Sequence, residues 1–426
     1  MVTQYFDGEH VNLDEEEEEA PSRSMTHLIE ERSHRNCGGE LCRTSKRKYL
    51  IGAAIVMLVV LAGLGIGLGV QKGSKSDPDL LNPYYGKLKA KYPTCKPIEL
   101  SKDKLAESYS KRLLAMLGGN KTNELLRLKS SSEKKLRPPV NFPFNWVGSA
   151  GEQLDENTVL ICGGIKSGTF VMDDSCVELR KAKDNTSTFF RGADISLMEK
   201  RVYSASVLTS VDTDTVGWWI TGGHVQVNGV EKDVPTEVST KSTEIIARNQ
   251  STNELYVIKG PDLVENNSKH CAVQLDDSHT LVVGGSGNDP KHAFMFHFGY
   301  IYDWSSGSWC STEPLSKARL GHACSLLDNN KVLIVGGITT EGNDTSTETL
   351  DLQTMKWSID TELPVEAVSA TLVQDEDEVL LLGAGGDGRQ VWALQNGQWI
   401  ESNKKLDIRR KEGLFLKIDE RLLTEQ

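Results

Sequence analysis

Val332-Leu-Ile-Val-Gly336-Gly337 is a short apolar run, rich in β-branched residues, that ends in two glycines. Such a run, bounded by glycine, reads as a buried strand with a tight exit. The phrase recurs as Thr158-Val-Leu-Ile-Cys-Gly163-Gly164, Trp218-Trp-Ile-Thr-Gly222-Gly223 and Thr280-Leu-Val-Val-Gly284-Gly285, and in altered form as Val379-Leu-Leu-Leu-Gly383-Ala384. The copies lie about 47 to 62 residues apart, a period that belongs to architectures in which one supersecondary unit is stacked repeatedly.

Each copy carries the same flanks. A second strand and an acidic turn precede it, as in Gln153-Leu154-Asp155, Gln274-Leu275-Asp276, Leu326-Leu327-Asp328 and Val373-Gln374-Asp375. Small residues or a histidine stand just upstream, as in His270-Cys-Ala and His322-Ala-Cys. Beyond the glycines comes a variable loop, then a third strand, a turn and an aromatic residue. Tyr302-Asp-Trp-Ser-Ser-Gly-Ser-Trp309 shows this best, and Leu350 to Trp357 and Val391 to Trp399 repeat it. Phe189/Phe190 and Leu255/Tyr256 take the place less clearly in the first two copies. A sixth copy, Gly413-Leu-Phe-Leu-Lys-Ile418-Asp419 and then Arg421-Leu-Leu-Thr, stops after its second strand.

Together these features resemble the kelch repeat over roughly residues 146 to 426. The resemblance implies an all-β fold, a kelch-type β-propeller with one four-stranded antiparallel blade per repeat around a central channel. Blades must stack, because one blade cannot cover its own apolar faces. Tryptophans are expected in the wedges between blades. Five complete copies and a partial sixth give six blades, with five or seven as alternatives. The missing strands are expected from the segment before the first blade, including Val140-Asn-Phe-Pro-Phe-Asn-Trp146; otherwise the ring is open. Copper-radical oxidases share this propeller, but their cross-linked Cys–Tyr pair and histidine ligands map onto no residues here.

Outward from the repeats the composition changes. Leu50 to Val70 holds 21 uncharged residues, enough to cross a hydrocarbon core of ~30 Å as one transmembrane helix. Arg43, Lys46, Arg47 and Lys48 crowd its N-terminal side, while Lys72 and Lys75 follow more sparsely. The positive-inside bias makes it a type II signal-anchor. The expected organisation is a disordered acidic cytoplasmic tail over 1–49, the span over 50–70, a basic stem over 71–138 and the propeller over 139–426. The stem carries 16 Lys/Arg against 7 Asp/Glu, whereas the chain as a whole is at −12, which places a large acidic surplus on the head. That surplus argues against nucleic-acid binding. Within the stem, Ser101 as N-cap, Leu105, Tyr109, Leu113 and Leu117 at i, i+4 spacing, and Gly118-Gly119 as a stop predict a short helix over 102–117.

The C-terminal side is then extracellular or lumenal, in the plasma membrane or in the Golgi or endoplasmic reticulum. Five glycosylation sequons begin at Asn120, Asn185, Asn249, Asn266 and Asn343, all beyond the span. Cys162 ends one strand and Cys176 begins the next of the same blade, so antiparallel pairing predicts a disulfide between them. Cys95, Cys271, Cys310 and Cys324 remain unassigned. Cys95, with Gly63 and Gly67 in the span, is a candidate link for a homodimer.

Function is expected on the face carrying the long loops that follow the second strands. Candidate binding residues there are His224, Asn228 (in an alternating run with an Asn-Gly hairpin turn), Phe294, Phe296 and His297. From Phe294 to Tyr302 every second residue is aromatic, which places five rings on one face. No histidine or cysteine spacing matches a metal site, no catalytic constellation is evident, and no cofactor is implied. The leading expectation is recognition of a protein or glycan. The alternative is a secretory-pathway enzyme, carbohydrate-active or an oxidase, and rests on topology alone.

Overall fold

The computed structural model describes residues 91–100, 112–117, 124–126 and, with short gaps, 146–419 and 422. The chain divides into two compact units, Met1–Leu81 and Asn82–Gln426, and every described residue lies in the second. The tail, the expected span with Gly63 and Gly67, and the sequons at Asn120 and Asn185 fall outside the described residues. Among the described residues no helix is long and apolar enough to cross a membrane.

The second unit is all β. Five of its sheets have four antiparallel strands in simple sequential order, here called A to D. Strand A begins them at Ala150–Asp155, Ala205–Ser210, Cys271–Gln274, Ala323–Leu327 and Thr371–Asp375. Strand B is the apolar run in each: Thr158–Cys162, Val216–Thr221, His279–Val283, Lys331–Val335 and Glu378–Ala384. Strand C is Ser175–Lys181, Thr243–Arg248, Gly299–Asp303, Thr347–Asp351 and Gln390–Gln395, and strand D is Thr188–Ser196, Leu255–Lys259, Ser308–Ser311, Lys356–Ile359 and Gln398–Lys405. Val159, Leu160, Ile161, Trp218, Trp219, Ile220, Val332 and Ile334 are all essentially inaccessible. Burial on both faces explains why these strands read as continuous hydrophobic runs rather than alternating ones. The A strands of all five sheets, and Leu414–Asp419 at the C-terminus, line one central channel of about 530 Å³.

The paired glycines join neighbouring sheets. The second glycine donates its N–H to the turn that leads into the next sheet: Gly164 to Arg201 O, Gly223 to Asn267 O, Gly285 to Arg319 O and Gly337 to Ala367 O, at 2.7–2.9 Å. The first glycine lies against the same turn. Gly222 has φ +55° and a Cβ there would sit 2.3 Å from Asn267 O; at Gly336, φ is +64° and the distance to Ala367 O is 2.4 Å. Only glycine accepts both the left-handed backbone and the close approach. The tryptophans fill inter-sheet wedges as expected. Trp309 Nε1 donates to Asp262 O at 3.2 Å and Trp357 Nε1 to Glu313 O at 2.9 Å, each reaching the connection that precedes its own sheet. Trp399 is buried beside Leu381 and Trp392.

The expected stem helix is corrected over 112–117. Arg112–Leu117 is a strand, paired antiparallel with Leu414–Asp419 on one side and Glu124–Leu126 on the other. Leu113 and Leu117 have helical spacing, but they also share a face at period two. The unpaired N–H and C=O groups of Leu414–Asp419 offer a ladder that a helix cannot use, so tertiary pairing overrides local preference. The ring therefore draws on residues well upstream of Val140–Trp146. Trp146–Val147 instead pairs with Ile165–Lys166 in a separate small sheet.

The stem also runs along the third and fourth sheets. Cys95 N donates to Ser311 O, Ser311 N to Pro93 O and Ile98 N to Leu352 O, each at 2.9 Å, and Cys95 and Ile98 are buried in the core between those sheets. Cys95 forms a disulfide with Cys310 of the same chain. This corrects its expected role in a homodimer, because the thiol is already consumed. Cys162 pairs with Cys176, directly opposite on strands B and C, with Cα atoms 4.1 Å apart. Cys271 and Cys324, on strands A of the third and fourth sheets, form a third bridge.

Candidate binding face

Strand B leaves each sheet at the same end where strand A begins, so the loops after B and after D share one face. The turns into strand A follow a common pattern on that face. They are Trp146-Val-Gly148-Ser-Ala150, Arg201-Val-Tyr203-Ser-Ala205, Asn267-Ser-Lys269-His-Cys271, Arg319-Leu-Gly321-His-Ala323 and Ala367-Val-Ser369-Ala-Thr371. The middle residue is left-handed in every case, with φ of +68°, +57°, +53°, +60° and +53° in that order. These five residues are hydrogen-bonded head to tail around the channel. Tyr203 N donates to Gly148 O, Lys269 N to Tyr203 O, Gly321 N to Lys269 O and Ser369 N to Gly321 O, at 2.8–3.0 Å. A non-glycine residue in this conformation costs about 1–2 kcal/mol, so Tyr203, Lys269 and Ser369 carry strain that Gly148 and Gly321 avoid.

In three of the turns the side chain of the first residue locks the turn to the sheet. Arg201 Nη1 donates to Gly222 O at 2.8 Å and Nη2 to Glu244 Oε1 at 2.6 Å. Arg319 repeats the arrangement with Gly336 O at 2.8 Å and Glu348 Oε1 at 2.6 Å. Between them in sequence, Asn267 Nδ2 donates to Gly284 O at 2.9 Å, and Tyr300 stands on strand C where Glu244 and Glu348 stand in their sheets. Both arginines and both glutamates are 2% exposed or less. A guanidinium held by two carbonyls and a carboxylate satisfies the charge that burial would otherwise penalise.

The fourth residue of the turn varies more. Ser149 Oγ donates to Gly163 O and Ser204 Oγ to Gly222 O, both at 3.0 Å. His270 and His322 take the equivalent place and are buried, and burial pushes each imidazole down to about 3. His270 Nε2 lies 2.8 Å from Thr221 Oγ1.

The expected binding residues divide between rim and core. His224 is half-buried at the start of a hairpin strand, His224–Asn228, which pairs with Pro235–Ser239. Its Nε2 lies 2.8 Å from Ser268 Oγ, and burial, then the nearby Lys269, keep it below the usual imidazole range. Ser268 is fully buried, so this pair ties the hairpin down and offers no nucleophile to solvent. Asn228 lies opposite Pro235, with six residues between the strands; Asn228-Gly229 is therefore not the two-residue turn expected. Phe296 and His297, expected to bind, are buried in the core, at 1% and 7% exposure. Phe294 is half-buried against Phe296. The rings of Phe294, Phe296, Phe298 and Tyr300 follow one another with centroids 4.8–5.3 Å apart. Tyr302 leaves this column and packs with Trp219, Trp304 and Trp309.

Sequence reasoning missed Tyr203 and Lys269. The only signal was position, two places before the start of each A strand, where residue type differs from turn to turn. Tyr203 lies over Gly148, whose missing Cβ makes room for its ring. The Lys269 ammonium stands 4.5 Å from the centre of that ring, and the His224 ring meets it edge-on with centroids 6.2 Å apart. Among the described residues no cluster of three or more His, Cys, Asp or Glu could hold a metal ion.

No family model matches the chain. Two curated proteins are similar to part of it. Kelch-like protein 40 of Xenopus tropicalis is 30% identical over 107 residues, covering 25% of this chain and 17% of that protein. Kelch-like protein 41b of Danio rerio is 23% identical over 158 residues, covering 32% and 26%. The matched segments thus span about a quarter or less of the relatives' own length. With the all-strand architecture, they support a kelch-type β-propeller.

Proposed function

We propose that this chain is a single-pass type II membrane protein whose propeller, on the extracellular or lumenal side, recognises a protein partner through the face bearing the B–C and D–A loops. Strand Leu414–Asp419 with Arg112–Leu117 and Glu124–Leu126 makes the sixth blade, closed by the stem. The observation that carries the recognition reading is the contrast within that face. A rigid frame of glycine contacts and buried ion pairs supports hairpins of unequal length and a rim whose side chains differ from blade to blade. Variable loops on a fixed scaffold suit recognition, and the likeness to Kelch-like proteins supports the same reading. Asn249 lies at the tip of a C–D turn, where its side chain caps Ser251 and Thr252. Asn266 is exposed on the loop face; glycans at either site suit the topology.

The recognition reading is tested with a photo-crosslinking residue placed in the full-length chain expressed in cells. At Asn343, on the loop face, it should capture a discrete protein. At Thr252, on the opposite face, it should not. Capture confined to Thr252 would overturn the reading. An epitope at the N-terminus protected from external protease, with one at the C-terminus cleaved or lumenal, tests the topology.

A further inference from the structure

We infer that Tyr203, His224 and Lys269 form an anion-recognition site at the mouth of the channel, and that the group it takes is a side-chain carboxylate of an acidic peptide segment in the partner. The inference rests on the protein-recognition reading above and names the chemistry of that site.

Three observations converge on it. The first is where strain is kept. Of the five left-handed rim positions, two are glycine and one is serine; only Tyr203 and Lys269 carry long side chains. Glycine is free of strain at this position, as Gly148 and Gly321 show, yet these two adjacent blades keep large residues there. Strained backbone retained in this way points to a use for the side chain.

The second is charge. Four other basic groups of this face are matched: Lys241 with Asp262, Lys317 with Asp344 and Glu341, Arg201 with Glu244, and Arg319 with Glu348. Among the described residues, no carboxylate lies within ion-pair distance of Lys269, whose recorded contact is the face of the Tyr203 ring. An ammonium over an aromatic face remains free to accept an anion from its open side.

The third is the shape of the rim. The backbone N–H groups of Tyr203, Lys269, Gly321 and Ser369 are used up in the hydrogen-bonded chain around the channel. Recognition there falls to side chains, and Gly321 and Ser369 leave the opposite side open. Tyr203 supplies an apolar wall, Lys269 the charge, and His224 a polar ring beside them. The acidic surplus of the head opposes an acidic ligand at long range, but that field is screened beyond ~8 Å at physiological salt, whereas the rim acts at contact.

The test uses the full-length chain in detergent and two labelled probes, a tetraglutamate peptide and its tetraglutamine counterpart, read by fluorescence anisotropy. Tetraglutamate should bind at least tenfold more tightly. Lys269→Gly, which relieves the left-handed strain, should melt no lower than the parent while losing binding at least tenfold, about 1.4 kcal/mol. Tyr203→Gly should do the same to a lesser extent. Equal binding of the two peptides, or undiminished tetraglutamate binding by Lys269→Gly, overturns the inference. So does displacement of tetraglutamate by sialyllactose at a lower concentration than by unlabelled tetraglutamate, which assigns the site to acidic sugars. If crosslinking from Asn343 still captures a protein, the recognition reading survives these failures; if it captures none, that reading fails separately.

Discussion

Acidification should unfold the propeller through His270 and His322. Each imidazole is buried just ahead of an A strand, and burial holds each at about 3, with Arg319 and His270 adding to the effect at His322. In the unfolded chain a histidine titrates near ~6.5. The folded state thus refuses a proton that the unfolded state takes up, so stability is full above pH ~6.5 and is lost as the pH falls toward ~3. At pH ~5 the difference is about 2 kcal/mol for each ring, or about 4 kcal/mol for the pair. For a domain of roughly 300 residues that corresponds to a fall in Tm of about 6 °C. The assay is thermal unfolding by circular dichroism between pH ~7.5 and pH ~5, comparing the parent with His270→Gln/His322→Gln. His279 works in the opposite direction, since its hydrogen bond to Asp276 raises it, but it is present in both chains and cancels in the comparison. The parent should lose about 6 °C more than the double variant over this range. Equal losses would refute the reasoning.

Further outcomes follow from the same contacts. Gly336→Ala forces a Cβ to within 2.4 Å of Ala367 O in a left-handed backbone and should destabilise by about 2–4 kcal/mol, measured by urea unfolding. Arg319→Met strands the buried Glu348 carboxylate and should cost about 3–5 kcal/mol; adding Glu348→Leu should recover much of that loss, as a double-mutant cycle would register. Non-reducing peptide mapping should recover Cys95–Cys310, Cys162–Cys176 and Cys271–Cys324, and a free Cys95 thiol would contradict the observed pairing of the stem. Leu416→Ala, in the core shared by the closing strand and the first sheet, should lower stability by about 2–5 kcal/mol.

The repeated strands were legible because their physics is local. A strand buried on both faces has to be apolar throughout, and a turn pressed against the next sheet has to be glycine, so Val332 to Gly337 identifies itself wherever it recurs. The Cys162–Cys176 bridge was legible for the same reason, being a register pair within one sheet. Closure was not. Arg112 to Leu117 satisfies helical and strand periodicities equally, and the choice is made by Leu414–Asp419, far away in the chain. The aromatic column was read as a single stripe, but it divides between Tyr300 and Tyr302, and Tyr302 packs in a different wedge. Tyr203 and Lys269 were hidden for a further reason: a rim position marked by backbone conformation has no residue type in common from blade to blade.

Closure by Arg112–Leu117 also sets a timetable. This strand leaves the ribosome about 300 residues before its partner, Leu414–Asp419, is made. At ~5–20 residues per second, that is roughly 15–60 s during which an apolar strand waits without its ladder. The five sheets between are built from neighbours in sequence and can form as they emerge, so the pairing of Leu414–Asp419 with Arg112–Leu117 comes after all five. A chain released early would hold most of its native contacts and still carry an open edge at each end of the ring. Such edges pair readily with other copies, so quality control acting on this protein has a single late contact to watch.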